Sequence, residues 1–203
     1  DLENINQAQV NTKSGVTFAS ALRSILRQDP DIIMVGEIRD DETVELAIRA
    51  ALTGHLVFST IHTNDAASGF ARLLNWEIEP FLIASTVKGI LAQRLVRRIC
   101  ENCKIEHEIT DRESTLLKID KKKYAKTFTG KGCLSCRNSG YRGRVGLYEL
   151  LKVDEKVSQL VLNQEPSFKI KEMARKNGMM TMLEDGLQNC LLYTSDAADD
   201  DHC

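Results

Sequence analysis

The sequence contains no Gly-x-x-x-x-Gly-Lys-Ser/Thr. The loop of backbone N–H groups and lysine that cradles a triphosphate is therefore missing from these residues. There is no excess of positive charge either. Lys and Arg number 27 against 29 Asp and Glu, a formal net charge of -2. That balance gives no reason to expect a nucleic-acid partner. Aromatic residues make up only 5%, with one tryptophan, and are not interleaved with basic stretches. This counts against a zinc-ribbon nucleic-acid-binding module. No apolar run approaches the length of a bilayer span. The first residue is not methionine, and the opening stretch reads as mid-domain sequence.

The 203 residues suffice for one or two domains with a substantial core. The stretch that organises them is Arg27-Gln28-Asp29-Pro30-Asp31-Ile32-Ile33-Met34-Val35-Gly36-Glu37-Ile38-Arg39-Asp40. A short apolar run between turn signals predicts a strand over Ile32–Val35, buried on both faces. Gly36 is expected to let the chain turn at the carboxyl end. Glu37 then stands at the sheet edge where open α/β folds place ligands. A carboxylate there can bind a Mg²⁺ water or orient an attacking water.

Residues 5–10 alternate weakly and suggest a strand, followed by a turn at Lys13, Ser14 and Gly15. Thr17 is placed to cap a helix bearing Phe18, Leu22, Ile25 and Leu26, which Asp29-Pro30 ends. Asp40 or Asp41 can cap a helix over 42–53, stopped by Gly54. An apolar strand over 56–61 completes a parallel β-α-β unit. His62, after that strand, falls at the same edge as Glu37, and His55 opens the strand. Asn64 or Asp65 can cap a helix over 66–74, and Trp76 is expected to pack. Pro80 suits the first turn of a helix carrying Phe81, Ile83, Val87, Ile90, Leu91 and Leu95. Arg94, Arg97 and Arg98 end it, either as a solvated helix end or as a contact with a neighbouring subunit.

Four of the six cysteines form two C-x-x-C pairs, Cys100/Cys103 and Cys133/Cys136, with 29 residues between them. This spacing reads as a structural, four-thiolate Zn²⁺ site. Gly130, Gly132, Gly140 and Gly143 supply the small residues that a knuckle needs. A helix over 111–119 and a basic loop, Lys121 to Lys123, are expected between the pairs. Zinc is expected to hold this insertion together by closing its loop. Beyond it, Asp154 and Ser167 can start further helices, the second ended by Gly178.

The stretch around Glu37 closely resembles the Walker B region of the type II secretion and type IV pilus assembly ATPases. Thr53-Gly54-His55-Leu56-Val57-Phe58-Ser59-Thr60-Ile61-His62-Thr63-Asn64-Asp65-Ala66 resembles the His box of that family. Residues 81–98 and Gly140-Tyr141-Arg142-Gly143-Arg144-Val145-Gly146-Leu147-Tyr148-Glu149-Leu150-Leu151 match it too. The tetracysteine element distinguishes the assembly and secretion members from pilus-retraction ATPases, which resemble them through the core but lack it.

The resemblance implies an α/β fold: a partial RecA-like P-loop ATPase core with a tetracysteine zinc-binding insertion and a helical C-terminal subdomain. The implied divisions are 1–99 for the core, 100–143 for the zinc element and 144–189 for the subdomain. The chain is then the C-terminal part of a longer ATPase whose P-loop and an acidic motif lie upstream. Glu37 and His62 are the implied catalytic residues, with Arg39 and His55 also associated with nucleotide and Mg²⁺. The cofactors are ATP and Mg²⁺ in the intact parent and structural Zn²⁺ on Cys100, Cys103, Cys133 and Cys136. The implied protein is a cytoplasmic homo-hexamer, peripheral at the inner membrane and docked on a platform protein, driving pilin or pseudopilin polymerisation. The fragment alone is expected to be inactive, and the contrasting reading is a non-catalytic structural or interaction piece. Residues 190–203 lack a helical period and resemble a translated sequencing adaptor, so Cys190 and Cys203 are expected to carry no function.

Overall fold

The computed structural model describes residues 3, 5–117, 120 and 127–192. Residues 5–10, expected as a strand, are irregular and mostly exposed. A single bridge, Asn11 to Val16, closes the turn around Gly15. Helix α1 spans Phe18–Ile25. Its cap is reciprocal: Ser20 N donates to Thr17 Oγ1 at 3.1 Å and Thr17 N donates to Ser20 Oγ at 2.8 Å. Strand β1 is Ile32–Val35, helix α2 is Asp41–Leu52 and strand β2 is Leu56–Ser59. Asp40, rather than Asp41, caps α2, accepting from Thr43 N at 2.7 Å. Val44, Ala47 and Ile48 then lie buried on one helical stripe.

The two strands pair in parallel, Ile32 with Leu56 through Val35 with Ser59. β2 therefore stops two residues short of the expected end. Burial of β1 on both faces does not hold. Ile33 and Val35 are 3% and 5% exposed, but Ile32 and Met34 are 62% and 77% exposed. Leu56 and Phe58 are exposed with them. A run of four apolar residues tells what a strand can bury, not what covers it. Here α2 lies against β2 and against α1.

Helix α3, Ser68–Asn75, starts two residues later than expected, and α4 is Pro80–Thr86 with Pro80 in its first turn. The long helix expected to run on past Leu95 is not formed. Gly89–Ile99 is strand β3. It pairs with β6, Tyr141–Lys152. That pairing satisfies the backbone of β3 between elements far apart in the chain, which local periodicity does not register. Between them lie β4 (Lys104–His107), α5 (Asp111–Leu117) and β5 (Thr127–Gly130). β4 and β5 pair antiparallel, Lys104 opposite Gly130. Residues 118–119 and the basic loop at 121–123 lie outside the described residues.

Helices α6 (Glu155–Leu162), α7 (Ser167–Lys176) and α8 (Met182–Leu192) follow. Asp154 caps α6, accepting from Val157 N at 2.8 Å. α8 continues through Cys190 to Leu192, against the expectation of no helix there; residues 193–203 lie outside the described residues. The chain divides into two units: residues 1–90 with 151–179, and residues 91–150 with 180–203. Residues 144–152 belong to β6, and α6 and α7 fall in the first unit. In that unit α6 lies against α4 and α7, with Val157 and Val161 fully buried.

Phe70 of α3 is 0% exposed and Phe58 of β2 is 55% exposed. Phe70→Ala is therefore expected to lower unfolding free energy by about 3–5 kcal/mol through cavity formation. Phe58→Ala should stay within about 0.5 kcal/mol. Urea unfolding of this chain measures both; equal losses would contradict the burial pattern.

Candidate functional sites

Because β1 and β2 run in parallel, their carboxyl ends share one edge, and the residues that follow meet there. Ile38 N donates to Thr60 O at 2.9 Å, which prolongs the pairing past both strands. The Thr60 hydroxyl donates to Gly36 O at 2.7 Å. Between these two tethers stands Glu37. Arg39 Nε lies 2.5 Å from Glu37 Oε2, and His62 Nε2 lies 3.4 Å from the same oxygen. The Arg39 hydrogen bond holds the Glu37 carboxyl below the usual carboxylate range; partial desolvation opposes it and His62 adds to it. No described residue donates to Oε1, which can accept from a water. Glu37 is thus a half-buried, ionised acceptor at a sheet edge.

Gly36 is not among the described glycines with positive φ. A Cβ there would meet the Phe18 ring at 3.5 Å, an ordinary contact. The turn after β1 thus does not require the glycine that the sequence suggested. His55 is not brought to this edge. It precedes β2, and its Nδ1 lies 2.9 Å from Ala50 O and 3.1 Å from Thr53 Oγ1, at the end of α2. Arg97 and Arg98 lie on β3 rather than at a helix end. Arg97 stacks on Tyr141 at 4.3 Å and Arg98 pairs with Glu101 at 3.0 Å. Trp76 packs, with Arg72 over its ring at 4.7 Å.

Two residues at this edge escaped sequence reading. Thr60 is one, and parallel pairing of the two apolar runs is the signal that would have found it. Asp65 was named only as a possible cap. Its Oδ1 does accept from Ser68 N at 2.9 Å, while its Oδ2 pairs with Lys171 of α7 at 2.7 Å.

The second cluster is the four cysteines. Their Sγ atoms all lie within 4.8 Å of one another. Cys100–Cys133, Cys103–Cys136 and Cys133–Cys136 are 3.8, 3.9 and 3.7 Å apart. A tetrahedral ion with Zn–S bonds of about 2.3 Å demands sulfur separations of about 3.8 Å, so the donor set fits zinc. None of the four is in a disulfide. Burial pushes the Cys136 thiol up, but backbone N–H groups of Cys133 and Gly140 outweigh it and bring it to about 6. Burial and the neighbouring thiols push Cys103 up to about 12. Backbones approach closely here: a Cβ on Gly130 would sit 2.1 Å from Gly140 O, and Gly140 itself has φ +80°. Both glycines are therefore required.

Residues 1–197 match the family described as Type II/IV secretion system protein. The type IV pilus assembly ATPase PilB of Thermus thermophilus is 48% identical over 193 residues, 94% of this chain and 22% of that protein. The type II secretion system protein E of Pseudomonas aeruginosa is 46% identical over 190 residues, 94% of this chain and 38% of that protein. The chain therefore spans well under half the length of these relatives. Among solved structures, the ATPase DotB of Legionella pneumophila superposes with a TM-score of 0.60 at 25% identity, over 93% of this chain and 43% of that one.

Two outcomes follow from the geometry. Purified protein is expected to hold about one Zn²⁺ per chain, as a four-thiolate site requires. Cys133→Ser should remove most of the metal and open residues 131–140 to protease before other segments. Metal analysis with limited proteolysis checks this; an unchanged zinc content would contradict it. Separately, Arg39→Gln should raise the Glu37 titration back toward an ordinary glutamate, since Arg39 is the main cause of its depression. Carboxyl carbon chemical shifts followed against pH read this directly. A titration that does not move would mean that the ion pair does not form in solution.

Proposed function

The chain belongs to the type II/IV secretion system protein family, and on that premise we propose that its parent is an ATP-hydrolysing motor. The parent powers pilin or pseudopilin polymerisation for pilus assembly or type II secretion. The observation that carries this is the convergence of Glu37, Arg39 and His62 at the carboxyl edge of a parallel strand pair. Open α/β sheets bind ligands there. The high identity to ATPases of both machines supports the same reading.

In this reading Glu37 acts as the ionised acceptor. Its Oε1 orients an attacking water or a water of the metal shell, and Oε2 stays engaged with Arg39 and His62. His62, largely exposed, is placed to meet a γ-phosphate while holding the carboxylate. Bound Mg²⁺ would neutralise phosphate charge, the main need of phosphoryl transfer. The upstream acidic motif expected in the parent is a second source of the base. The core is the RecA-like half that follows a P-loop, and the cysteine cluster is a closed structural Zn²⁺ site. The parent works as a hexamer in the cytoplasm, held at the inner membrane by a platform protein. His55 and its bonds to α2 support the strand rather than the nucleotide.

Glu37→Gln in the full-length parent should keep ATP binding and lose turnover by about 10²-fold or more, because the amide is a poor acceptor for the water proton. Turnover and nucleotide affinity measured side by side test it. Near-normal turnover would remove Glu37 from the chemistry.

A further inference from the structure

We infer that Thr60 is a positioning residue for Glu37, its hydroxyl and carbonyl together fixing the peptide that carries the carboxylate. The inference rests on the ATPase reading above. Thr60 makes two bonds to the segment that follows β1. Its carbonyl accepts from Ile38 N at 2.9 Å. Its hydroxyl donates to Gly36 O at 2.7 Å. These are the two residues on either side of Glu37. One residue on the second strand therefore holds both flanks of the acidic residue on the first.

The carbonyl bond is a continuation of the strand pairing, and any residue at position 60 would make it. The hydroxyl bond is different: it needs a Ser or Thr side chain. Without it, Gly36 O loses its partner and the segment carrying Glu37 keeps only one of its two tethers to Thr60. Among the described residues no other group donates to Gly36 O. Gly36 has no Cβ to limit its dihedrals. Its close neighbour is the Phe18 ring, which a Cβ would meet at only 3.5 Å. The Arg39 side chain, 71% exposed, grips the carboxylate but leaves the main chain unheld. Thr60 also stands two residues before His62. The hydroxyl thus ties the imidazole-bearing segment and the carboxylate-bearing segment into one body. A carboxylate that acts by orienting water depends on such placement, since misplacement by about 1 Å costs about 10²-fold in rate.

The experiment uses the full-length parent, P-loop included, with steady-state turnover of Mg²⁺-ATP. Thr60→Val keeps the branched shape and the carbonyl bond but removes the hydroxyl. Its kcat should fall about 10-fold or more with KM for ATP within about twofold, the mark of a group that acts after binding. Thr60→Ser, which restores the hydroxyl, should return kcat to within about twofold of wild type. In a Glu37→Gln background, Thr60→Val should cost nothing further, because it acts through that carboxylate. If wild type itself shows no turnover, the ATPase reading fails. If wild type turns over and Thr60→Val matches it, only this inference fails. Equal losses in Thr60→Ser and Thr60→Val, or an undiminished loss in the Glu37→Gln background, also overturn it. The serine and double-variant arms decide the matter even where the valine variant folds poorly.

Discussion

The register of two short parallel strands governs the acidic edge of the first unit. Val35 sits opposite Ser59, so the residues that follow each strand emerge side by side. A slip of one residue would turn Ile32 and Met34 inward and hand Glu37 a different neighbour. Register is held by the apolar faces of Ile33 and Val35 on one side and by Thr60 at the end. The connection onward is equally short. Ile38 is buried at 7% exposure, and Asp40 caps α2 at once. Glu37 and Arg39 are therefore presented by a span pinned at its middle and at both ends.

The electrostatics at this edge position groups more than they stabilise the fold. Arg39 and His62 are 71% and 89% exposed, and pairs so open to water contribute little to stability. Their effect is to set the charge and orientation of one carboxylate oxygen. The loop that carries His62 is fixed from both directions. Thr60 holds it before, and Asp65 holds it after, through its bonds to Ser68 at the start of α3 and to Lys171. The hydrogen bonds from Lys171 and Ser68 outweigh the desolvation that would raise the Asp65 carboxyl, and keep it below its ordinary value.

Much of this was legible in the sequence. Turn signals around an apolar run gave β1, Thr17, Asp40 and Asp154 marked helix starts, and strand-helix-strand spacing brought His62 to Glu37. What failed has a common cause in non-local contact. The stretch after Pro80 carries apolar residues at helical spacing, yet Gly89–Ile99 is a strand. Its buried positions, Ala92, Val96 and Ile99, fall four and then three residues apart, which imitates a helix. Only β6, far along the chain, makes it a strand. The same limit applied to β1, whose second face is apolar but exposed. Thr60 carries no signal of its own in the sequence, because its partners follow another strand.

The cysteine cluster is brought together by strand pairing on either side of it. The knuckles are the connections between β3 and β4 and between β5 and β6. Two ladders, β4 with β5 and β3 with β6, bring those connections together. Crossing bonds then join them: Cys100 N to Gly140 O at 2.9 Å, Lys131 N to Cys103 O at 3.1 Å, and Asn102 Nδ2 to Ser135 Oγ at 2.9 Å. The loop-closing role that the spacing suggested for zinc is thus shared with the backbone. Lys104 faces Gly130, so the ends of the intervening segment are also paired by the strand ladder. Zinc and that ladder close the same loop. The ion's contribution lies in the thiols themselves. Four sulfurs this close hold their protons unevenly, Cys136 near 6 and Cys103 near 12. A divalent cation at the centre would make all four thiolates at once and turn a crowded, poorly matched cluster into a rigid cross-link.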